Sequence, residues 1–328
     1  MRPHLREVLG ERRTAQDEFD AYDPFLENKN NVVAPEGTDS KVTAIAVDKF
    51  LETPLPPRET MLAPWLPRAG LAMLHAPRGI GKTQIAIGTA WAVASGGGFL
   101  RWRCETAWRV LFLDGEMPGA DLQARFKAVT DASQFGLADP DYLKIAASDL
   151  TEFGLPDLSD PKSQQFYEDV VADADLIIVD NLSTLCPGVK ENESDSWVPV
   201  QRWALSQRRA GKSVLFVHHA GKSGTQRGTS RKEDVLDTVI SLRRPPDYAA
   251  DQGCRFELYF EKARGFQEGA EPFEARLIGN QWSITDIKSG DDVETIRALR
   301  KQGLSIRDIA DRTGLGKSTI ARRLGEEE

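Results

Sequence analysis

One segment constrains the fold more than any other: a glycine-rich run that ends in Gly-Lys-Thr. The segment Ala76-Pro77-Arg78-Gly79-Ile80-Gly81-Lys82-Thr83 follows an apolar stretch at 71–75 and precedes a helical pattern at 84–94. It matches G-x-x-x-x-G-K-[ST], except that Ala76 stands at the first glycine position. Gly-Lys followed by Ser or Thr recurs at 211–213, 221–223 and 316–318, but only the first copy lies between a strand and a helix. We therefore expect a strand, a loop and a helix in direct succession.

A loop of this kind binds phosphate, because its N–H groups and the helix N-terminus surround the phosphate oxygens. We expect Lys82 to neutralise the β- and γ-phosphate oxygens and the Thr83 hydroxyl to bind Mg²⁺. The predicted ligands are ATP and Mg²⁺; a structural glycine-rich turn is the alternative. The residues expected to contact the nucleotide are Ala76, Pro77, Arg78, Gly79, Ile80, Gly81, Lys82, Thr83 and Gln84.

The region from about 61 to 287 alternates short apolar segments with helical patterns. Segments this apolar are typical of a parallel sheet whose two faces are both covered, which predicts an α/β fold with a largely parallel central sheet. Three alternating segments at 255–261, 273–277 and 281–285 predict antiparallel strands at one edge. The apolar strands are predicted at 71–75, 110–113, 142–146, 176–179, 214–217 and 238–242, with helices between them at 84–94, 120–132, 161–172 and 195–210.

Acidic residues follow two of the predicted strands. Asp180 ends one of them and is expected to hold Mg²⁺ through water. Glu116 lies just past another, where a carboxylate can accept a proton from an attacking water. Asp114 competes for that role, and for both acids an ordinary cap or solvated loop residue is the alternative.

Two adjacent histidines, His218 and His219, end a further strand. Successive side chains of a strand point to opposite faces, which disfavours a shared metal ion. One of them is expected to sense the γ-phosphate, while a structural histidine is the alternative.

The formal net charge is −8, from 42 basic and 50 acidic residues. This excludes a protein that coats nucleic acid or membrane by bulk charge, although it permits a local basic site. The three cysteines are too far apart for a zinc site of usual spacing. No apolar run approaches the length of a membrane span, and the N-terminus lacks a secretion signal, so we expect a cytoplasmic protein.

Three regions are predicted. Residues 1–57 read as a mobile N-terminal tail and linker with a short helix near 5–19, residues 58–287 as the α/β domain, and residues 291–328 as an all-helical appendage. In the appendage Ser305 is a candidate N-cap, and Thr313-Gly314-Leu315-Gly316 reads as a turn between two helices. This piece resembles the resolvase-type helix-turn-helix, which implies that duplex DNA is bound by Lys317, Ser318, Thr319 and Arg322. A helical appendage that docks protein is the alternative.

The α/β region, from about 57 to 285, resembles RecA-like ATPases, and within them the plasmid RepA-type replicative helicases. The resemblance implies that Glu116 is the catalytic base, Asp180 the Walker B residue and His219 the polar switch that connects γ-phosphate to the DNA loops. The pieces that carry it are Pro57-Arg58-Glu59, Pro64-Trp65-Leu66-Pro67, the loop at 76–83, Asp114-Gly115-Glu116-Met117-Pro118, Ile178-Val179-Asp180-Asn181-Leu182, His218-His219-Ala220-Gly221-Lys222, Arg227-Gly228-Thr229-Ser230, Asp237 and Glu261-Lys262-Ala263-Arg264-Gly265.

The resemblance also implies an oligomer, a hexameric ring, in which Lys262 and Arg264 enter the nucleotide site of a neighbouring subunit. Arg227, Arg243 and Arg244 are rival arginine fingers. Two loops would face the central channel. The loop at 186–197 is acidic, whereas the loop at 221–232 carries Lys222, Arg227, Arg231 and Lys232 and suits single-stranded DNA.

The leading hypothesis is thus a Mg²⁺-dependent ATPase that works as a DNA helicase or translocase in plasmid or mobile-element replication. A regulator or loader that binds DNA without unwinding it is the second hypothesis, and the acidic loop at 186–197 favours it. The third is a nucleotide-gated DNA-binding protein without useful turnover. The presence of Lys82, Glu116 and Asp180 disfavours the third.

Overall fold

The structure is a computed structural model that describes residues 44–55, 57–189, 194–219, 233–287, 291–313 and 315–325. By contacts the chain divides after Pro57 into two units, residues 1–57 and 58–328. In the first unit the described part contains one helix, α1 (Val47–Glu52), with no buried residue. The sequence had not predicted this helix. The helix expected near 5–19 lies outside the described residues.

The second unit is built on a nine-stranded sheet. Its strand order is β13-β12-β11-β10-β3-β9-β8-β6-β7, and the six strands from β10 to β7 run parallel. Strands β11, β12 and β13 extend it as an antiparallel meander, as the sequence predicts. The strands are β3 (Leu71–Ala76), β6 (Val110–Asp114), β7 (Leu143–Ala147), β8 (Leu176–Asp180), β9 (Ser213–His219), β10 (Thr238–Arg243), β11 (Arg255–Ala263), β12 (Phe273–Ile278) and β13 (Gln281–Asp286).

Helices cover both faces of the parallel strands, which is why these strands are so uniformly apolar. Alternate residues enter two separate cores; on β3, for example, Leu74 packs on one face and Met73 on the other. The α/β class is therefore confirmed. The helices of this region are α2 (Lys82–Ser95), α3 (Gly119–Ala132), α4 (Glu168–Ala172), α5 (Leu182–Leu185) and α6 (Val198–Arg209), and two short hairpins join β1 (Thr60–Leu62) with β2 (Leu66–Pro67) and β4 (Gly98–Phe99) with β5 (Trp102–Arg103).

Local differences from the expectations have simple causes. Strand β7 is the outermost strand on one side of the sheet, so its middle residues are exposed instead of buried on both faces. The helix expected at 161–172 is a 3₁₀ turn, Ser163–Tyr167, followed by α4. The helix expected at 195–210 likewise begins as a 3₁₀ turn, Ser194–Trp197, before α6.

The C-terminal helices are α7 (Asp291–Lys301), α8 (Ile306–Thr313) and α9 (Lys317–Leu324), around a small core of Ile296, Leu299, Ile309 and Ile320. The predicted cap is confirmed. The amide of Asp308 donates to Oγ of Ser305 at 3.2 Å, and the amide of Ser305 donates to Oδ2 of Asp308 at 3.2 Å. This reciprocal pair is a capping arrangement that fixes the start of α8.

An ion pair between the half-exposed Arg58 and the buried Asp237 anchors the first residues of the α/β domain to the sheet. Nη2 of Arg58 donates to Oδ2 of Asp237 at 2.9 Å, and the same oxygen accepts the amide of Leu71 at 3.0 Å. Asp237, which the resemblance had singled out, is thus structural. It secures the start of β3 at the edge of the sheet opposite the glycine-rich loop.

We predict that Asp237→Asn lowers the free energy of unfolding by about 2 kcal/mol, because it removes a buried charge from an arginine and an amide that depend on it. The matched control is Glu59→Gln, which breaks the exposed ion pair with Arg68 and should change stability by less than about 0.5 kcal/mol. Denaturant unfolding measures both. Equal losses in the two variants would contradict the anchoring role.

Candidate functional site

The predicted site residues meet because the carboxyl ends of β3, β6, β8 and β9 lie at one edge of the sheet. In the register of the sheet, Asp114 is level with Asp180, and Ala76 is level with His219. At this edge a cavity of about 480 Å³ opens. The residues that line it are Arg78, Gly79, Ile80, Gly81, Lys82, Thr83, Gln84, Asp114, Glu116, Met117, Pro118, Asp121, Arg125, Asp180, Asn181, His219 and Cys254.

The glycine-rich loop has the backbone that its sequence requires. Gly79 and Gly81 adopt φ of 75° and 128°, which side chains other than glycine's disfavour. A Cβ on Gly81 would also lie 2.4 Å from Sγ of Cys254. Gly81 caps α2 without any capping side chain, so the N–H groups of the first helical turn are available to ligand oxygens.

Lys82 is buried at the floor of this loop. Its Nζ donates to the carbonyl oxygens of Ala76 and Pro77, each at 3.0 Å. Burial lowers the pKa of Lys82 to about 8, while the nearby carboxylates of Asp180 and Glu116 oppose that shift. The ammonium group is thus held beside the loop by two weak neutral acceptors, which anionic phosphate oxygens can replace.

Asp180 and Thr83 form the part of the site that fits a divalent cation. Burial raises the pKa of Asp180 to about 7, although a hydrogen bond from the Thr83 side chain opposes the shift. Oδ2 of Asp180 is buried and has no hydrogen-bond partner among the described residues. A hydroxyl beside a carboxylate with a free buried oxygen is the kind of donor set that Mg²⁺ takes.

Glu116 is held at the cavity by two neighbours. Its Oε2 accepts a hydrogen bond from Nδ2 of Asn181 and lies 3.4 Å from Nε2 of His219. The Glu116 side chain is 53% exposed, so water reaches it. Burial, followed by the charge of Lys82, lowers the pKa of His219, so its imidazole is neutral near pH 7.

The structure separates Asp114 from Glu116 as candidate bases. Oδ1 of Asp114 accepts the amides of Glu116 and Met117 at 3.2 and 2.7 Å, and the side chain is buried. Asp114 therefore shapes the turn that presents Glu116, whereas Glu116 keeps an oxygen open to the cavity.

The two histidines of β9 take different positions, as expected for adjacent strand residues. His219 enters the cavity, whereas His218 lies level with His75 on β3. Nε2 of His75 is 2.8 Å from Oε2 of Glu261. Within the described parts of the chain, no group of three or more His, Cys, Asp or Glu side chains is arranged to hold a metal ion.

Lys262 and Arg264 do not join this cavity. Ala263, between them, pairs with Thr238, which pairs with Ala72 at the start of β3, so both residues lie at the opposite edge of the sheet. Nζ of Lys262 donates to the carbonyl of Glu233, and Arg264 is exposed. Within one chain neither residue reaches the nucleotide cavity.

Two rival fingers are bonded within their own chain. Nη2 of Arg244 donates to the carbonyl of Gly79 at 2.8 Å, and Nη2 of Arg243 pairs with Glu261 at 3.0 Å. The third rival, Arg227, lies outside the described residues.

Most of the predicted DNA-binding residues also lie outside what the structure describes. This holds for Lys222, Arg227, Arg231 and Lys232 and for the side chains of Ser318, Thr319 and Arg322, which belong to α9. Lys317 begins α9 and is exposed.

Sequence reasoning missed two contributors to the site, Asn181 and Arg244. The only sequence feature that points to Asn181 is its position directly after Asp180. Arg244 had been read as a finger for another subunit, because nothing local in the sequence shows that it reaches the glycine-rich loop.

We predict that the affinity for Mg²⁺ and ATP falls as the pH falls through about 7, the value to which burial raises the pKa of Asp180. Above that pH Asp180 is a carboxylate; below it a proton occupies the position that the cation needs. Titration calorimetry across this range measures the effect. In Asp180→Asn the affinity should no longer fall as the pH is lowered through about 7. If it still falls, another group is responsible for the pH dependence.

No helix in the described parts of the chain is long and apolar enough to cross a membrane. No curated protein matches the chain. Among solved structures, a KaiC-like protein from the hyperthermophilic archaeon Pyrococcus horikoshii OT3 is similar at 13% sequence identity and a TM-score of 0.46, over 67% of this chain and 90% of that one.

Two families match the sequence. Residues 287–325 match the helix-turn-helix domain of resolvase, which agrees with the three C-terminal helices. Residues 38–225 match the AAA domain, an ATPase family, and this match covers more than half of the chain. It includes the glycine-rich loop, Glu116, Asp180 and His219. The chain therefore belongs to the AAA domain family and carries a resolvase-type helix-turn-helix at its C-terminal end.

Proposed function

We propose that this protein is a Mg²⁺-dependent ATP hydrolase that acts on DNA, as a hexameric helicase or translocase of plasmid or mobile-element replication. The observation that carries the hydrolase is the convergence of Lys82, Thr83, Glu116, Asp180 and His219 on one cavity. The resemblance to RepA-type helicases supports the DNA-directed role, and the helix-turn-helix match supports contact with DNA.

Binding begins with the loop. The N–H groups of the first turn of α2 donate hydrogen bonds to the phosphate oxygens, and Nζ of Lys82 exchanges its two carbonyl acceptors for the β- and γ-phosphates. Thr83 and Asp180 are the residues that would hold Mg²⁺, which supplies positive charge against the phosphates.

Hydrolysis uses Glu116. A water bonds to the γ-phosphorus as the bond to the bridging oxygen breaks, so ADP leaves with that electron pair and the open oxygen of Glu116, Oε1, takes the water's proton. Asn181 and the neutral imidazole of His219 hold Oε2 in place. In this proposal His219, which ends β9 just before the loop at 221–232, would relay the state of the γ-phosphate to that loop.

Lys262 and Arg264 complete the site from a neighbouring subunit in this proposal. Their distance from their own cavity is what a contribution in trans requires, and an arginine there stabilises charge on the transferring phosphoryl group. The loop at 221–232 would track single-stranded DNA, while α9 would enter the groove of a duplex through Lys317, Ser318, Thr319 and Arg322.

We predict that Glu116→Gln lowers the rate of ATP hydrolysis by about 10²–10³-fold, because the amide cannot take the proton. ATP affinity should change little, since the glutamine keeps the shape of the side chain. A phosphate-release assay beside equilibrium nucleotide binding measures both, and Glu152→Gln, at an exposed residue away from the cavity, is the control. Hydrolysis at the wild-type rate would remove Glu116 from the role of base.

A DNA-binding regulator or loader without unwinding activity is the second candidate, and the resolvase-type match at 287–325 favours it. The two candidates differ in one measurement. The helicase should displace a strand from a forked duplex in the presence of ATP, with hydrolysis stimulated by single-stranded DNA and a six-subunit mass with nucleotide. Duplex binding and hydrolysis without displacement would establish the regulator.

We predict that Lys317→Glu weakens duplex affinity about tenfold at low salt, because it replaces a phosphate-directed cation at the start of α9 by an anion. The matched control is Lys301→Glu, an exposed lysine at the end of α7, which should have a smaller effect. Fluorescence anisotropy with a labelled duplex measures both. Equal effects would indicate general charge attraction in place of contact through α9.

A further inference from the structure

A continuous series of polar contacts runs from the nucleotide-binding strand to the helix-turn-helix. Nε2 of His75 is 2.8 Å from Oε2 of Glu261, and Oε1 of the same carboxylate accepts Nη2 of Arg243 at 3.0 Å. Nη1 of Arg243 donates to the carbonyl of Thr313 at 3.3 Å. Four side chains or backbone groups thus connect β3, β11, β10 and α8.

Each end of this series lies next to a binding element. His75 immediately precedes Ala76, whose carbonyl accepts a hydrogen bond from Lys82. Thr313 is the last residue of α8, and Leu315 and Gly316 lead from it into α9. A guanidinium at the carbonyl end of α8 is favourable, because the helix dipole places partial negative charge there.

The central carboxylate is ionised at neutral pH. Although burial alone would raise its pKa, the contacts with His75 and Arg243 hold the pKa of Glu261 at about 2. His75 is fully buried, and the Arg243 guanidinium also lies over the ring of Tyr259, 4.5 Å from its centroid. Glu261 and Arg243 each have more than one partner, and His75 is held by its burial, so a shift at one end is transmitted instead of being absorbed by loose side chains.

A second connection reaches the glycine-rich loop itself. Arg244, the next residue after Arg243, donates to the carbonyl of Gly79 at 2.8 Å and to the carbonyl of Arg255 at 2.7 Å. Two successive arginines at the end of β10 therefore contact the loop on one side and α8 on the other. Any movement of the loop backbone on binding phosphate acts on the same short stretch that holds the helix-turn-helix.

We propose that Arg243 couples the two binding events, so that ATP in the cavity changes the affinity of the C-terminal helices for duplex DNA, and duplex DNA changes the affinity for ATP by the same factor. This inference rests on the proposed function, since it needs both ligands to bind. It adds that their affinities are linked within one chain, through Arg243 and Glu261.

The test compares full-length wild type with Arg243→Met, which keeps the apolar stem over Tyr259 and removes the guanidinium. The affinity for a labelled duplex of mixed sequence is measured at low salt without nucleotide and with a non-hydrolysable ATP analogue. The matched control is Arg276→Met on β12, an arginine for which the described residues offer no ion-pair partner. Glu261→Gln, a near-isosteric change, tests the same series at a second point.

In wild type the analogue should shift duplex affinity by about fivefold or more, and the duplex should shift analogue affinity equally. Arg243→Met and Glu261→Gln should reduce both shifts to within about twofold of none, while each ligand alone still binds as in wild type; Arg276→Met should behave as wild type. Because the analogue is not hydrolysed, a finger role of Arg243 in hydrolysis cannot produce this pattern.

Two results would overturn the proposal: a wild type that binds both ligands with no mutual effect, or an Arg243→Met variant with the full shift. A wild type that fails to bind the analogue, or the duplex, on its own would instead refute the proposed function, and the coupling with it. Thermal unfolding of each variant shows whether a loss of coupling comes from a loss of the fold. If Arg243→Met is unfolded, the coupling measured in Glu261→Gln decides between the outcomes.

Discussion

Everything in this molecule depends on the parallel pairing of β3, β9, β8 and β6. Because parallel strands end at the same edge, one register places the glycine-rich loop, Asp114, Asp180 and His219 side by side, although more than a hundred residues separate the first from the last. A shift of one residue in any of these strands would turn its end residue to the other face. The two apolar cores on either side of the strands prevent such a shift. Burial of leucine, isoleucine and valine side chains therefore fixes where the site residues lie.

The site departs from the rules that stabilise the rest of the fold. Lys82 and Asp180 are buried and incompletely paired. Burial lowers the pKa of Lys82 and raises the pKa of Asp180, and both shifts favour the neutral side chain. Outside the site, the buried carboxylate of Asp237 has partners in Arg58 and Leu71. Such local violations are typical of functional sites, where the missing partners are supplied by a ligand. In the proposed function, a polyphosphate with a divalent cation would supply both of them.

Two further strands of the sheet, β10 and β11, have a different task from the four that form the cavity. Strands β10 and β11 bring arginine and glutamate side chains to the border between the α/β domain and the C-terminal helices. Arg243 and Arg244 are neighbours of identical type, yet one contacts α8 and the other the glycine-rich loop. Their alternation along the end of β10 directs them apart, so one dipeptide serves both binding elements. The net charge of the chain does not predict these arginine contacts, because they are few and local.

The sequence by itself determined the α/β class, the glycine-rich loop and the antiparallel extension, because these follow from periodicity and spacing over short stretches, while its resemblance to the resolvase-type motif indicated the helix-turn-helix. It left Asp114 and Glu116 as rivals, missed Asn181, and read Arg243 and Arg244 as fingers. Only the tertiary structure decided that Asp114 binds backbone amides while Glu116 faces the cavity, and that β7 lies at an edge. The reason is physical: a local pattern determines which residues form an element. Strand order and register determine which elements become neighbours, and both are set by packing across the whole core.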